Sequence, residues 1–397
     1  MDRLRNAVRP YAWGSVTAIP ALLGQAPTGE PQAELWMGAH PGDPSWIDRG
    51  DGPRSLADVI AADPRAELGA AAVAKFGTEL PFLFKVLAAG LPLSLQAHPT
   101  LDQARAGFAD EEARGVPLDA PHRNYRDANH KPELICALDE FEGLCGFRAP
   151  AATADLMASL GVPALDPLID VLRAKPESEA LREVLATVLS MTGPEAEHTV
   201  SEVARALTAA APGDPTGALA GYAFAAAEHP GDTGLLAALL LNHVVLRPGE
   251  ALYLGAGVPH AYLRGTGVEI MANSDNVLRC GLTPKHVDVP ELLRVVDFEA
   301  AAPQVLRPEA DAAGERLYPV PIDEFRISRY EPADRPVELP GGAPQILLCT
   351  EGTAFLSAAD GTGLTLARGE SAFLPAGGGP VGLRGAGATV FRATVTL

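Results

Sequence analysis

Four short stretches of this 397-residue chain carry side chains suited to chemistry. In Gln96-Ala97-His98, an extended backbone sends residues i and i+2 to the same side, so an amide and an imidazole share one face. Taken alone, His98 reads first as a hydrogen-bonded core histidine and second as half of a metal pair. Asn129-His130-Lys131-Pro132-Glu133 gathers polar groups around a proline, just before the apolar strand Leu134 to Leu138. Glu133 there can turn inward or stay in solvent as a loop carboxylate. The third stretch, GEALYLGAGVPH, runs from Gly249 to His260 as turn, strand, Gly-rich turn and histidine. Its glycines let the chain reverse tightly and hold His260 inward. Two imidazoles, a carboxylate and an amide oxygen suit a divalent borderline ion, with Zn²⁺ the best match and Mn²⁺, Fe²⁺ and Co²⁺ still compatible. A four-thiolate site is excluded, because Cys136, Cys145, Cys280 and Cys349 lack CxxC spacing and read as buried free thiols of a reducing compartment.

The fourth stretch, Glu269 to His286, reads EIMANSDNVLRCGLTPKH and is a dense polar cluster in apolar surroundings. Arg279 and Lys285 are the right groups for a phosphate or an enediolate oxygen. Glu269 and Asp275 are candidate bases. A hydrogen-bonded structural loop would have the same composition.

The elements around these stretches have three textures. Residues 1–148 are loop-rich with short apolar runs. Residues 149–240 turn Ala- and Leu-rich with helical period: Leu181, Val184, Leu185 and Val188 fall on one helix face. SEVARALTAAA repeats the habit, and GDTGLLAALLLNHVV reads as a last helix. From about residue 241 short strands return, separated by RPGE, GAG and RGTG turns, as in an antiparallel sandwich or barrel. PELLRVVDF reads as a short helix opened by Pro290. The phrase GESAFLPAGGGP from Gly369 resembles GEALYLGAGVPH from Gly249, which suggests a repeated β-module. That alignment sets Pro380 where His260 stands and Pro375 opposite Gly255, so the second copy offers no histidine.

Composition narrows the partners. Against 31 basic residues stand 50 acidic ones, a formal net charge of −19. A nucleic acid or an anionic membrane surface is a poor partner for such a chain, whereas two or three local cations suffice for a small phosphorylated ligand. No run approaches the length of a membrane span, and the first residues lack the apolar core of a secretory signal, so a cytoplasmic protein is expected.

Taken in order, LSLQAHP, NHKPE, GAGVPHAYL, E-x-MA-x-SDNVLR-x-GLTPKH and VPELL resemble type I mannose-6-phosphate isomerases (phosphomannose isomerases), with YAWGS and ELWMGAHP in support. The likeness spans nearly the whole chain. It implies a zinc-dependent isomerase of the cupin superfamily, an intramolecular oxidoreductase acting on mannose 6-phosphate and fructose 6-phosphate. The expected fold is mainly β: two cupin-type jelly-roll β-modules plus an α-helical domain. A metal-binding catalytic cupin would span 1–148 and 241–314, a helical insertion 149–240, and a second, metal-free module 315–397. The resemblance assigns one Zn²⁺ per chain to Gln96, His98, Glu133 and His260, and an active-site role to Arg279. Lys131, Lys285, Glu269 and Asp275 match other polar active-site positions. Gly255 departs from the family, where proline is common, and affects turn stiffness only. A monomer is expected.

Aldose–ketose isomerisation moves a proton between carbon 1 and carbon 2 through a cis-enediolate. Glu269, Asp275 or His130 would be the base, with Glu269 favoured because burial beside apolar residues raises a carboxylate's pKa. Arg279 would bind the phosphate or stabilise the enediolate. Lys85, alone in the apolar strand FLFKVL, is either paired in the interior or turned to the phosphate.

Overall fold

The computed structural model describes residues 1–332 and 336–397. Nine strands of an eleven-stranded sheet hold the polar stretches: β1 Glu34–Met37, β2 Phe82–Ala89, β3 Leu95–Ala97, β4 Glu133–Ala137, β5 Phe141–Phe147, β6 Leu241–Leu246, β7 Ala251–Leu254, β8 His260–Ala272 and β9 Leu278–Gly281. Their pairings are antiparallel. The long strand β8 organises them. Its first half pairs with β3 and β5, and its second half pairs with β2 and β4. Residues directly opposed across an antiparallel pair point to the same side. Register therefore sets His260 beside Gln96, Glu269 beside Lys85, and Met271 beside Glu133. On the far edge, Gln96 also opposes Arg279 of β9.

Residues 149–240 form the helical layer. Its helices include Pro150–Ser159, Asp166–Ala174, Glu177–Ser190, Gly193–Ala210 and Ala218–Glu228. The stripe Leu181, Val184, Leu185 and Val188 is buried, as its spacing requires. The expectation of a helix through LLNHVV needs correction. Helix Gly234–Ala238 ends early, and Leu241–Leu246 becomes β6, paired along its length with β5. Consecutive β-branched Val244 and Val245 favour that choice, and β5 offers an open edge. A second correction concerns class. The chain is mixed rather than mainly β, with 30% in helix and 29% in strand. The helical layer supplies much of this, and further helices such as Leu101–Ala113 and Val289–Val295 lie among the strands.

The C-terminal strands form a six-stranded and a four-stranded antiparallel sheet. Asp2–Arg3 pairs with Ser371–Leu374, so the first strand of the chain completes the sheet of the last segment. Phe84 and Val86 of β2 share one core with Ile346, Phe373 and Phe391, which fastens the two β-parts together. Among the described residues no helix is long and apolar enough to cross a membrane.

Candidate active site

His98, Glu133 and His260 converge inside the β-layer, each nearly inaccessible to solvent. His98 Nε2 lies 3.5 Å from Glu133 Oε1, and His260 Nε2 lies 3.5 Å from Glu133 Oε2. One ligand atom from each of the three falls within 4.8 Å of the other two. Both rings are oriented from behind. His98 Nδ1 donates to the Asn276 carbonyl at 2.9 Å, and His260 Nδ1 donates to the Val258 carbonyl at 3.0 Å. With each Nδ1 committed to a backbone carbonyl, each ring turns its Nε2 to the centre. The side-chain amide of Gln96 reaches to 3.4 Å from His260 Nε2 and completes the set.

Two of these atoms, His98 Nε2 and Glu133 Oε2, are buried without a hydrogen-bond partner. Buried acceptors left bare are costly in a folded protein, and a divalent cation satisfies both at once. The donor set of two imidazoles, one carboxylate and one amide fits such an ion. Electrostatics agree. Burial pushes His98 down to about 4, keeping it neutral. For Glu133 burial works the other way, but Lys131 and the two imidazoles outweigh it and hold the carboxyl well below its usual range. Lys131 Nζ stands 3.3 Å from Glu133 Oε1.

Local sequence explains the placement. Strand alternation brings Gln96 and His98 to one side. In the GAGVPH turn, Gly257 sits at φ +77°, where a side chain would be strained, and its N–H donates to the His98 carbonyl at 2.8 Å. The turn that delivers His260 is thus bonded to the strand that delivers His98.

A second buried group adjoins the first. Lys85 Nζ lies 2.6 Å from Glu269 Oε2 and 3.3 Å from Glu34 Oε1. Tyr262 Oη donates to Glu269 Oε1 at 2.8 Å, and Trp36 Nε1 donates to Glu34 Oε2 at 2.5 Å. Burial opposes the Lys85 charge, but Glu269 and Glu34 outweigh it and hold its pKa above the ordinary value. Burial raises Glu269; Lys85 pulls it back, and Glu133 and Glu34 add to the rise. Of the two orientations open to Lys85, the structure shows the interior pair.

Arg279 and Lys285 line a cleft of about 560 Å³ together with Gln96, Tyr11, Trp13 and His229. Burial and the neighbouring Arg126 push Arg279 below its ordinary pKa, and burial, Arg279 and Arg126 do the same to Lys285. Two cations thus face the cleft, with Arg126 near enough to act on both, and neither Arg279 nor Lys285 has an ion-pair partner among the described residues. This is the electrostatic signature of an anion site.

Two expected site residues lie apart from that cleft. His130 Nε2 is 2.7 Å from Glu324 Oε1 and lines a different cavity with Lys75 and Arg105. Asp275 points to His40, 3.5 Å from its Nε2, with more than half of its side chain exposed. Sequence reasoning missed Glu34, Tyr262, Asn276 and Arg126. Tyr262 follows His260 by two residues and so shares its face, and Glu34 and Trp36 show the same alternation; both were readable. Asn276 meets His98 through its backbone carbonyl and holds its loop by side-chain bonds to residues distant in sequence, and Arg126 is one loop arginine among many, so neither carries a local pattern.

The family model for the type I phosphomannose isomerase catalytic domain matches residues 1–150. The chain is 43% identical over 390 residues to mannose-6-phosphate isomerase of Escherichia coli (strain K12), covering 98% of each. It is 35% identical over 385 residues to the Homo sapiens mannose-6-phosphate isomerase, covering 89% of this chain and 88% of that one. A crystal structure of the Salmonella typhimurium mannose 6-phosphate isomerase, bound to its substrate fructose 6-phosphate and to zinc, superposes with a TM-score of 0.91 at 42% identity, covering 100% of both chains. The orphaned ligand atoms, the cationic cleft and this whole-length similarity converge on one assignment: the chain belongs to the type I phosphomannose isomerases, a family of isomerase enzymes.

Proposed function

We propose that this chain interconverts mannose 6-phosphate and fructose 6-phosphate through a cis-enediolate, with one zinc ion held by Gln96, His98, Glu133 and His260. The observation that carries the reading is the convergence of His98 Nε2 and Glu133 Oε2, both buried without a hydrogen-bond partner, with His260 Nε2, beside a cleft lined by the cations Arg279 and Lys285. When bound, zinc supplies a Lewis acid that polarises sugar oxygens and favours loss of the neighbouring proton.

The protein's own groups do the rest. Arg279 and Lys285 bind the phosphate dianion in the cleft and fix the sugar's reach toward Gln96, the cross-strand partner of Arg279. Glu269, desolvated and raised, takes the carbon 2 proton of the open aldose, which leaves a cis-enediolate with its charge on the carbon 1 oxygen. The same carboxyl returns that proton to carbon 1 while the carbon 2 hydroxyl proton passes to the carbon 1 oxygen, which yields the ketose with atoms and charge in balance. Lys85 keeps the excess negative charge of Glu269, Glu34 and Glu133 compensated throughout. Asp275, held below its ordinary pKa by His40, and His130, which lines a different cavity, suit the role of base less well than Glu269, which burial raises. The architecture we infer is two cupin-type jelly-roll modules, 1–148 with 241–314 and 315–397, joined to helical residues 149–240.

Running the reaction in heavy water tests the mechanism. Deuterium at carbon 1 of the fructose 6-phosphate formed from mannose 6-phosphate is the expected result. Complete retention of the original hydrogen would point instead to a hydride shift.

A further inference from the structure

The helical residues 149–240 bury an apolar core and contribute none of the groups discussed so far except His229 at the cleft wall. One polar residue in their last loop reaches across. Asp232 Oδ2 accepts from the backbone N–H of Thr283 at 2.8 Å, and its Oδ1 accepts from Gly234 N–H at 2.7 Å. Thr283 begins the segment Thr283-Pro284-Lys285, and its hydroxyl accepts from the Lys285 N–H at 3.2 Å. The backbone just before this segment is unusual. Leu282, at φ +53°, is the only non-glycine residue with positive φ among the described residues, and it is buried. Gly281 and Gly234 touch so closely that a Cβ on Gly281 would lie 2.4 Å from the Gly234 Cα. A leucine persists in the left-handed region only where its surroundings over-determine it.

We infer that Asp232 is a positioning residue for the anion cleft, through which the helical insertion holds the Leu282–Lys285 turn so that Lys285 faces the bound phosphate. The inference rests on the reading of Lys285 as a phosphate ligand. It also makes a prediction of sign. By charge alone, removing a carboxylate near a cationic cleft would tighten anion binding. By positioning, removing Asp232 loosens it, because Thr283 loses its anchor and the strained turn relaxes.

The test uses the full-length protein, with inorganic phosphate as competitive inhibitor and mannose 6-phosphate as substrate. Asp232→Ala is expected to raise both the phosphate Ki and the substrate KM by about tenfold, with kcat within about twofold of the parent. Asp232→Asn, which keeps one acceptor oxygen, should fall between the two, and it carries the test should the alanine variant fail to fold. In a Lys285→Ala background the same substitution should change Ki far less, since the two residues act as one unit. A Ki that is unchanged or lower in the Asp232 variants, while Lys285→Ala alone raises it, overturns the positioning role and leaves the phosphate reading standing. An inert Lys285→Ala removes the phosphate reading, and the inference with it. A fall in kcat at constant Ki would also contradict it.

Discussion

His98 donates its Nδ1 hydrogen to the Asn276 carbonyl oxygen, 2.9 Å away, and this bond ties one imidazole of the candidate metal group to a knot of two polar loops. The Asn276 side chain holds the knot. Its Nδ2 donates to the carbonyls of Asp127 and Asn129, each at 2.8 Å, and its Oδ1 accepts from Arg126 N–H at 2.7 Å. The loop leading to Glu133 and the loop leading to Arg279 are thereby locked together.

Asn276→Ala should therefore free the carbonyl behind His98 without removing any ligand. Zinc affinity is expected to fall roughly 10–100-fold, the range for loss of an outer-shell partner. Chelator competition measures it, and a changed visible absorption spectrum of the cobalt-substituted protein would locate the effect at the metal. Parental affinity together with a parental spectrum would show that the knot does not govern His98.

Arg279→Lys keeps the charge and loses the planar fork. Zinc content and melting temperature should be retained, with kcat/KM lower by about two orders of magnitude, chiefly through KM, as expected when a bidentate contact to the phosphate is lost. Steady-state kinetics then divides the roles. A fall in kcat alone places Arg279 on the enediolate, and a rise in KM alone places it on the phosphate. Near-normal values of both remove Arg279 from the mechanism.

Lys85→Met leaves Glu269 and Glu34 buried without their cation. Breaking one side of a buried pair typically costs about 3–5 kcal/mol. Urea denaturation should show a loss of that order, partly recovered when Glu269→Gln is added to remove the stranded charge. A loss under about 1 kcal/mol would mean that water or relaxation satisfies the carboxylates in place of Lys85.

Glu142 provides a pH test away from the site. Burial would raise its pKa, but His243 and Arg264 outweigh that and hold it at about 2. A depressed carboxylate stabilises the fold fully above its unfolded value near roughly 4.3, and the contribution fades as pH falls toward the folded value. Glu142→Gln should cost about 1–2 kcal/mol at neutral pH. The gap between variant and parent should narrow as pH drops from about 4 to about 2. A gap independent of pH would assign the loss to packing.

Gln96, His98 and His260 were legible as candidates because each obeys a short-range rule. Gln96 and His98 alternate along one strand, and His260 closes a Gly-rich turn. What lies behind them depends on register between distant segments. Nothing near Lys85 in the sequence names Glu269 as its partner; that pairing exists because β2 and β8 align over eight residues. The Leu101–Ala113 helix was hidden for another reason. Thr100 and Gln103 form a capping box, a readable signal, but LDQARAGFADEEA has no strong apolar stripe to follow it. LLNHVV was misread because its apolar run fits either element, and the open edge of β5 decides it. Asp232 sat in a helical region without chemistry of its own, and its link to Thr283 crosses 51 residues.

Zinc-dependent isomerisation at His98, Glu133 and His260 is tested most directly by a coupled assay for fructose 6-phosphate formed from mannose 6-phosphate, run with metal analysis before and after chelation. One zinc per chain is expected, with activity that disappears with the metal and returns when zinc is restored, and neither metal nor activity in His260→Ala. Full turnover by protein shown to be metal-free, or a His260→Ala variant with complete zinc occupancy, would contradict it.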